Sequence, residues 1–530
     1  MPKTTQKQYW CNLVLDSIAI KFNQMPINQL KAGVVLNYVV ILLNTLVGLL
    51  YTPYMLRMMG QSEYGLYSLV ASVISYLTVL DLGFGNAIIR YTAKFRAEKK
   101  TQEQYEMFGM FLMLYLVIGI AAFGIGLGLY FNVDTLFGNT MTSVELGKAR
   151  TMMLLLIFNL AFTFPMSIWG AIIQAYENFV FQKALNIIRI ILNTIVMICL
   201  LHFGYKAVAM VVVQTVFNVL TLIINFIYCV KKLKIKVYFR HFQWGFLKEV
   251  AIYSFWIFLN AIMDRIYWST GQFVLGAMVG TAAVAVFAVA IQLEGMYMQF
   301  STAISSVFLP KVTAMVATDR SRKEISDLFI RTGRIQYIVL SYILSGFIVF
   351  GRQFIELWAG SNYSNAYTIA LLFFIPLTVP LIQNLGITIL QARNEMKFRS
   401  VIYVVIATFS LILQIVLTKY YGGIGCAIGI SGALVIGQIF IMNIYYQRKQ
   451  DLDMAMFWKE IIKMSVIPAV LIFCSMLIIH YTFPLDSWSK LIFGIIMYSI
   501  VYIPLFFRLS LTDDERNLVS LIFKKLLRLA

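Results

Sequence analysis

Long, uninterrupted apolar runs recur from one end of the chain to the other and constrain the fold more than any other feature. About 20 mostly apolar residues are needed to cross the roughly 30 Å hydrocarbon core of a bilayer. Of the 530 residues, 60% are hydrophobic and only 13% are charged, so little of the chain remains for a soluble domain. The runs are continuously apolar rather than alternating, which excludes a membrane β-barrel. The sequence therefore predicts an all-α integral membrane protein.

Fourteen candidate spans can be distinguished among the apolar runs. They begin near Val34, Tyr64, Met107, Thr151, Leu185, Ala207, Val250, Ala283, Ile335, Ala366, Val401, Ile424, Ile461 and Leu491. Residues 1–31 precede the first span and hold a short apolar stretch that Asp16 interrupts, without the small residues of a signal-peptide cleavage site. We therefore expect either a cytoplasmic extension at the membrane surface or a true start at Met25.

Basic residues are distributed unevenly between the two sets of loops. With the amino terminus inside, the inner segments hold clusters of Lys and Arg at 94–100, 231–248, 311–331, 393–399 and 448–459, whereas the outer loops hold only isolated ones. Because Lys and Arg accumulate on the cytoplasmic side, we expect both termini in the cytoplasm. The same loops account for the net charge of +19, so nucleic acid is not an expected partner.

The carboxyl terminus carries a predicted surface helix within residues 509–530. Thr512 and Glu515 have the spacing of a capping box, which marks a helix start. Apolar residues then share one helical face, and they are Leu518, Leu521, Ile522, Leu526 and Leu529. Lysine and arginine side chains lie opposite or beside that face. This pattern predicts a cytoplasmic amphipathic helix on the inner leaflet.

A weak internal repeat relates the turns that follow the first and the seventh spans. Gly60 and Gly280 occupy these turns, 220 residues apart, and the sequence YGLY at 64–67 matches VAVF at 284–287. Six spans separate equivalent points, and an even number of spans preserves direction, so the repeats are parallel. Parallel repeats are typical of two-lobed transporters whose substrate binds between the lobes near the membrane midplane.

Few charged residues lie within the apolar runs, where a central charge costs about 2.5 to 3.5 kcal/mol on insertion scales. Asp81 lies in the second span and Arg90 near its cytoplasmic end, while Asp264 and Arg265 lie in the seventh span and Glu294 in the eighth. Such groups normally face protein or a water-filled cavity. We expect Asp81, Asp264 and Glu294 to be ion-coupling or gating groups. The structural alternative is that a carboxylate pairs with Arg265 and only holds helices together.

Motifs for nucleotide hydrolysis and covalent catalysis are absent from the sequence. The chain has no GxxxxGK[ST] phosphate-binding loop, no nucleophile elbow and no HExxH pair. The longest outer loop, at about 132–147, is too short for the external domain of a membrane glycan polymerase or ligase. We therefore expect a protein that is not an enzyme and that uses neither a cofactor nor a metal.

Two stretches resemble a known family. The first turn matches G-x-x-x-Y-G-x-Y at 60–67, and the second span matches D-x-G-x-G at 81–85, followed by Arg90. The segment 263–290 also resembles the family's seventh-span entry, with Asp264 at its usual acidic position. The family is that of the polysaccharide transporters, the Wzx-type flippases of O-antigen and other lipid-linked oligosaccharides, within the MOP superfamily.

The resemblance implies a fold and a division into domains. It predicts two pseudo-symmetric six-helix lobes and two C-terminal helices, with the eighth span closing at Pro310. The expected boundaries are 1–31 for the cytoplasmic extension, 32–231 for the N-lobe, 232–447 for the C-lobe, 448–508 for the last two spans and 509–530 for the amphipathic helix.

The resemblance also implies alternating access in the bacterial cytoplasmic (inner) membrane. The cargo would be an isoprenoid-pyrophosphate-linked oligosaccharide for lipopolysaccharide O-antigen, capsule or exopolysaccharide. The expected partners are this lipid-linked sugar, membrane lipids and polysaccharide polymerase machinery. An anionic pyrophosphate that crosses a membrane requires buried cations, and polar residues on the same helical faces extend the site. The candidate substrate-binding residues are therefore Arg265, Arg90, Arg189, Asn260 and Tyr297.

A second function fits many of the same features. A cation-coupled small-molecule exporter of the MATE type would use Asp81, Asp264 or Glu294 to bind its ion. Twelve spans instead of fourteen would favour this alternative, as would drug sensitivity after deletion of the gene. Neighbouring glycosyltransferase genes would favour the flippase.

Overall fold

The computed structural model describes residues 29–239, 244–318, 321–393, 395–481 and 485–517, and helices dominate throughout. The helices are α1 Gln29–Met59, α2 Gln61–Leu77, α3 Phe84–Ala97, α4 Thr101–Phe131, α5 Val133–Phe137, α6 Ser143–Ala175, α7 Phe179–His202, α8 Ala207–Lys231, α9 Trp244–Trp268, α10 Thr270–Met278, α11 Thr281–Ala317, α12 Arg322–Trp358, α13 Asn365–Ile382, α14 Asn384–Ala392, α15 Met396–Leu434, α16 Met442–Lys449, α17 Met454–Tyr481 and α18 Trp488–Leu509. Short 3₁₀ turns at Thr78–Asp81 and Ser361–Tyr363 and a π-helical turn at Val435–Ile441 complete the order.

The helices correspond to the fourteen predicted spans. Within the described residues, twelve helical stretches are long and apolar enough to cross a bilayer. One of them, Met396–Lys449, is 54 residues long and contains a break at Gly422, whose φ of 54° is not helical. It therefore supplies two spans. The remaining predicted span is α9, a helix of 25 residues. The all-α membrane fold is confirmed.

The second span is broken in its middle. Leu82 and Gly83 both adopt left-handed backbone conformations, with φ of 53° and 74°, so α2 ends and α3 begins at a new angle. Asp81 closes the 3₁₀ turn just before this break. A glycine at position 83 suits the left-handed conformation because it has no Cβ to clash. The D-x-G-x-G motif therefore lies at the break in the span.

Two groups of six spans pack as lobes, in agreement with the predicted pseudo-symmetry. In the first group α4 packs on α6, α6 on α8, and α1 on α7. In the second group α11 packs on α13, α9 on α15, and α13 on α15. The last two spans, α17 and α18, both pack on α12. Gly60 and Gly280 begin α2 and α11 with positive φ values of 81° and 115°, so the two glycines of the repeat occupy equivalent positions.

One predicted boundary is wrong. The eighth span was expected to end at Pro310, but α11 continues to Ala317. The residues after Pro310 include Val, Ala and Met, which favour a helix, so the helix runs on past the proline.

A buried ion-pair network fixes the segment that follows the last span. The Arg334 guanidinium of α12 donates from Nε and Nη2 to the two carboxylate oxygens of Glu515, at 2.7 Å each. It also donates to the Ser510 carbonyl oxygen at 3.2 Å and pairs with Glu460 of α17. The Thr512 amide donates to Glu515 at 2.9 Å, one half of the predicted capping box. Residues 518–530, which carry most of the predicted amphipathic helix, lie outside the described residues, as do residues 1–28.

Arg334→Gln should lower the free energy of unfolding by about 3 kcal/mol, because breaking a buried pair leaves a carboxylate buried without its cation. Thermal unfolding of the purified protein in detergent measures the effect. Arg352→Gln is the matched control on the same helix, since its side chain is 67% exposed and pairs with Glu356 at the surface. Exposed pairs contribute about 0–1 kcal/mol. We call the contacts of Arg334 with Glu515, Glu460 and Ser510 the Arg334 clamp. Equal melting temperatures for Arg334→Gln and Arg352→Gln would show that this clamp does not stabilise the fold.

The clamp should also depend on pH through Glu515. Burial raises the pKa of this carboxyl group, but hydrogen bonds from Arg334 and the Thr512 amide outweigh burial and hold the pKa below its ordinary value of 4.5. The stabilisation is therefore present above about pH 4.5 and is lost as the pH falls through the lowered pKa. We expect the gap in melting temperature between wild type and Arg334→Gln to narrow below pH 4.5.

Candidate functional site

The two lobes meet along a seam formed chiefly by α2 and α11. A Cβ added to Gly65 would lie 1.8 Å from the Thr281 carbonyl oxygen and 3.2 Å from the Ala285 amide nitrogen. No side chain fits at that distance, so the two backbones touch directly because position 65 is a glycine. Gly65 and Ala285 are equivalent positions in the internal repeat, which places the contact between matching points of the two lobes.

Polar side chains extend this contact at the end of the bundle that carries Gly60. Ser62 lies 3.2 Å from the Thr281 hydroxyl and donates to Glu145 of α6. Thr281 donates to the same carboxylate oxygen at 2.9 Å, and the Thr140 hydroxyl donates to the Gly276 carbonyl oxygen at 2.6 Å. Residues 62–65, 140–145 and 276–285 are called the Gly60 seam below. The contacts of Thr281 with Ser62 and Glu145 and of Thr140 with Gly276 join one lobe to the other, and Ser62 binds Glu145 within the N-lobe.

The first span closes the same end from the other side. The Gln292 amide of α11 donates to the Thr52 hydroxyl at 2.7 Å. The Trp358 indole of α12 donates to the Leu49 carbonyl oxygen at 2.7 Å, and Arg57 donates to the Leu357 carbonyl oxygen at 3.0 Å. Toward the opposite end, α3 packs instead on α4, α6 and α9. The tightest packing between the lobes therefore lies at the Gly60 end.

The seam continues to the middle of the membrane, where the seventh span is interrupted. Ser269 separates α9 from α10, and its hydroxyl accepts a hydrogen bond from Ser75 of α2 at 3.0 Å. The neighbouring pair, Tyr76 and Thr270, is also hydrogen-bonded. Asp264 and Arg265 lie about one turn further along α9, and α9 packs against the Thr78–Asp81 turn. These two charged residues therefore lie beside the seam, about midway along the seventh span.

Asp264 is bound by a tyrosine rather than by the neighbouring arginine. The Tyr403 hydroxyl of α15 donates to Asp264 Oδ1 at 2.9 Å. The Tyr403 ring stacks on Tyr267, with centroids 5.1 Å apart, and the Arg399 guanidinium lies 5.3 Å from the Tyr403 ring centroid. We call Asp264, Tyr267, Arg399 and Tyr403 the Asp264 cluster. The cluster fixes the carboxylate on the C-lobe.

Arg265 is half-buried and, among the described residues, has neither a hydrogen-bond nor an ion-pair partner. The adjacent Asp264 carboxylate attracts Arg265 electrostatically without forming an ion pair with it, so the predicted structural alternative stays a prediction. A guanidinium within a membrane span is costly unless an anion or water compensates it. Arg265 is thus available to an anionic ligand that enters beside the seam.

The other candidate residues of the second span lie further from the Gly60 end. The Tyr115 hydroxyl of α4 donates to Asp81 at 2.8 Å, so a tyrosine binds this carboxylate just as Tyr403 binds Asp264. Arg90 is exposed on α3, and its guanidinium lies 5.7 Å from the centroid of the Tyr91 ring. Tyr91 packs edge-on against Phe246 near the start of α9, with centroids 4.7 Å apart.

Glu294 and Tyr297 lie inside the C-lobe and not at the seam. The Tyr297 hydroxyl lies 2.8 Å from the Thr378 hydroxyl, and its ring stacks on Phe374 at 4.5 Å. Glu294 is 3% exposed, and within the described part of the chain no residue hydrogen-bonds to its carboxyl group. In this conformation neither side chain is accessible from the seam.

The structure does not place the remaining two candidates beside Arg265. Arg189 is half-buried on α7, which packs mainly on α1 and α8. Asn260 lies in α9, one turn before Asp264, and its side chain lies outside the described part of the structure. The residues that the structure brings together are therefore Asp264, Arg265 and the turn that ends at Asp81.

Sequence reasoning missed Tyr403 and Arg399, although they complete the Asp264 cluster. They lie more than 130 residues from Asp264 in the chain, and tyrosines are common in apolar spans, of which this chain has many. The only local signal is the spacing of four between Arg399 and Tyr403, which places both on one helical face. It does not indicate the partner helix.

Comparison with known proteins identifies a matching family and several similar proteins. The family model described as "Polysaccharide biosynthesis protein" matches residues 30–316, more than half of the chain. The "Uncharacterized membrane protein EpsK" of Bacillus subtilis (strain 168) is 21% identical over 506 residues, 92% of this chain and 97% of that protein. The "Probable flippase AglR" of Haloferax volcanii is 22% identical over 412 residues, 75% of this chain and 80% of that protein.

A solved structure shares the fold over most of the chain. The lipid II flippase MurJ, in an inward closed conformation, superposes with a TM-score of 0.69 at 16% sequence identity, covering 90% of this chain and 98% of that one. This similarity supports the fold. The family match shows that the chain belongs to the polysaccharide biosynthesis protein family of multi-pass membrane transporters.

Proposed function

We propose that the protein flips an isoprenoid-pyrophosphate-linked oligosaccharide across the bacterial cytoplasmic membrane for cell-surface polysaccharide synthesis. The observation that carries the proposal is Arg265, a half-buried guanidinium that forms no hydrogen bond or ion pair with the described residues and lies beside the lobe seam, about midway along the seventh span. The names of AglR and of MurJ support flipping as the activity, since one is a probable flippase and the other flips lipid II.

The chemistry of the cargo matches the position of Arg265. A pyrophosphate loses its hydration when it enters the membrane, and an arginine can replace part of that hydration with two parallel hydrogen bonds to phosphate oxygens. The isoprenoid tail needs no polar path because the lipid around the lobes accommodates it. Only the head group and the sugars require the space between the lobes, where Arg265 would compensate the charge.

The orientation of the protein in the membrane follows from the basic loops. Lys and Arg cluster at the end of the bundle opposite Gly60, as at Lys94–Lys100, and such clusters are typical of the cytoplasmic side. We propose that both termini are cytoplasmic and that the Gly60 end faces outward. The conformation described here would then be closed to the outside, and Arg90 would lie near the cytoplasmic entrance, where it meets the head group first.

Alternating access would open the Gly60 seam and rearrange the contacts at the opposite end, where Tyr91 packs on Phe246. The lobes, proposed as residues 32–231 and 232–447, would move as units because Asp81 and Asp264 are each bound within their own lobe. We propose these two carboxylates as gating groups, since both lie where a helix is interrupted next to the seam. Glu294 is a proposed coupling group, accessible only after the C-lobe rearranges.

Depletion of the protein in its native host tests this function. Lipid-linked oligosaccharide should accumulate and should resist a membrane-impermeant oxidant such as periodate in intact cells, because it remains on the inner leaflet. Unchanged oxidant access would contradict a flippase. Drug sensitivity without a change in glycan would favour the MATE-type exporter instead. Co-purification with polysaccharide polymerase machinery would test the proposed protein partner.

A further inference from the structure

A cavity of about 520 Å³ lies outside the seam, between the first turns of α15 and the end of α16. This volume is within the range of small-molecule sites, about 300–1,000 Å³. The cavity is formed by the eleventh and twelfth spans alone, at the end of the bundle opposite Gly60. The transport path proposed above does not use it.

Local helix geometry creates the cavity. A Cβ added to Gly437, in the π-helical turn before α16, would lie 2.0 Å from Ile406 Cδ1, so the two spans touch there. Eight residues nearer the membrane surface, about 12 Å along a helix, the same spans meet through the stacked rings of Phe398 and Tyr445, and the cavity lies beside these rings. The π-helical turn at Val435–Ile441 directly precedes α16. Turns of this kind are frequent at functional sites.

The lining changes from apolar to cationic toward the membrane surface. Ile444 and Phe398 line the cavity and are 54% and 39% exposed. The Phe398 ring stacks on Tyr445, with centroids 4.1 Å apart, and forms a flat wall. Arg448 and Lys449 line the opposite part. Both are exposed, and in the described ranges neither has a hydrogen-bond or ion-pair partner.

The one acidic side chain of the cavity is already bound. Glu395 accepts a hydrogen bond from the Gln450 amide nitrogen, and Gln450 is only 1% exposed. Arg393 donates to the side-chain oxygen of Gln450 at 2.8 Å and to its carbonyl oxygen at 3.1 Å. The carboxylate is held at one edge by this chain of contacts, and the positive charges of Arg448 and Lys449 face the opening.

We propose that this cavity binds an anionic membrane phospholipid. Its phosphate would lie against Arg448 and Lys449, and its acyl chains would extend along Ile441, Ile444 and Phe398. Basic pockets between membrane helices are suited to anionic head groups, with about 1 kcal/mol for each Lys or Arg near the surface. A free phosphate would use the cations but would leave the apolar wall uncovered, so a lipid satisfies more of the lining.

Lipid binding to the purified full-length protein tests the proposal. Native mass spectrometry would be used to titrate phosphatidylglycerol, with phosphatidylcholine and inorganic phosphate as separate probes. The double variant Arg448→Gln/Lys449→Gln should bind phosphatidylglycerol at least tenfold more weakly than wild type. The matched control is Lys231→Gln/Lys232→Gln, which removes two adjacent exposed cations at the end of α8 and should bind like wild type.

A third variant separates a lipid from a free anion. Ile444→Gln should weaken phosphatidylglycerol binding and leave phosphate binding unchanged. Equal phosphatidylglycerol binding by wild type and the Arg448/Lys449 double variant would overturn the proposal, as would equal weakening in the control pair. Tight binding of phosphate alone, or equal binding of phosphatidylcholine, would also overturn it. If the double variant melts at a lower temperature than wild type, the single variant Arg448→Lys is used in its place. This variant keeps the positive charge and should therefore retain phosphatidylglycerol binding.

Discussion

Gly65→Val should abolish transport while the protein still reaches the membrane. The new Cβ would lie 1.8 Å from the Thr281 carbonyl oxygen, and the obstructing atoms belong to a helix backbone, which cannot rotate away as a side chain can. Overpacking a core costs about 1–3 kcal/mol even where side chains yield. The ratio of molecules with a closed Gly60 seam to molecules with an open one should therefore fall at least tenfold.

Disulfide cross-linking measures that population directly. The Ser62 and Thr281 oxygens are 3.2 Å apart, so the pair Ser62→Cys/Thr281→Cys should cross-link readily after the native cysteines are replaced by alanine. Adding Gly65→Val should reduce the cross-linking rate at least tenfold. The control is Gly124→Val in α4, where an added Cβ meets nothing within 4 Å. Unchanged cross-linking and transport in Gly65→Val would show that the seam does not close as described.

Arg265→Ala should reduce surface glycan at least thirtyfold with normal amounts of protein in the membrane. A hydrogen bond to a charged group contributes about 1.5–3 kcal/mol, and each 1.4 kcal/mol corresponds to a factor of ten; a guanidinium can form two such bonds to one pyrophosphate. Arg265→Lys should restore only part of the activity because an ammonium lacks the planar fork.

Quantitative lectin staining of intact cells and immunoblotting of membranes provide the measurement for Arg265. Arg352→Ala, which removes an exposed arginine at the Gly60 end, is the control and should retain normal glycan. A normal amount of surface glycan in Arg265→Ala would show that this residue does not contact the cargo during transport. Loss of glycan together with loss of the protein from the membrane would instead assign Arg265 a structural role.

Properties that depend on residues close together in the chain could be predicted from the sequence. Each of the fourteen apolar runs became helical, the Thr512–Glu515 spacing placed Glu515 on the Thr512 amide, and Gly60 and Gly280 occupy equivalent turns. Helix formation, capping and turn geometry are local, so a single sequence records them. The same reasoning failed at Pro310, where the helix continues to Ala317.

Contacts between spans could not be predicted in the same way. In lipid, most faces of a span are apolar, so periodicity does not show which face meets another helix. The sequence around Tyr403 therefore does not indicate that this residue binds Asp264. The sequence around Arg334 likewise does not indicate its ion pair with Glu515. Glu294 and Tyr297 were grouped with the cargo contacts for the same reason, although their helix turns them toward the interior of the C-lobe.

The most direct test is flipping by the purified protein. Liposomes would carry the protein and a fluorescent isoprenoid-pyrophosphate-linked oligosaccharide, and dithionite would quench the outer-leaflet fluorescence, with and without a proton or sodium gradient. Wild-type protein should make nearly all of the fluorescence quenchable, while Arg265→Ala should leave the inner-leaflet fraction protected, as in protein-free liposomes. Quenching by wild type that equals that of protein-free liposomes under every gradient would contradict the proposal that this protein flips lipid-linked sugars.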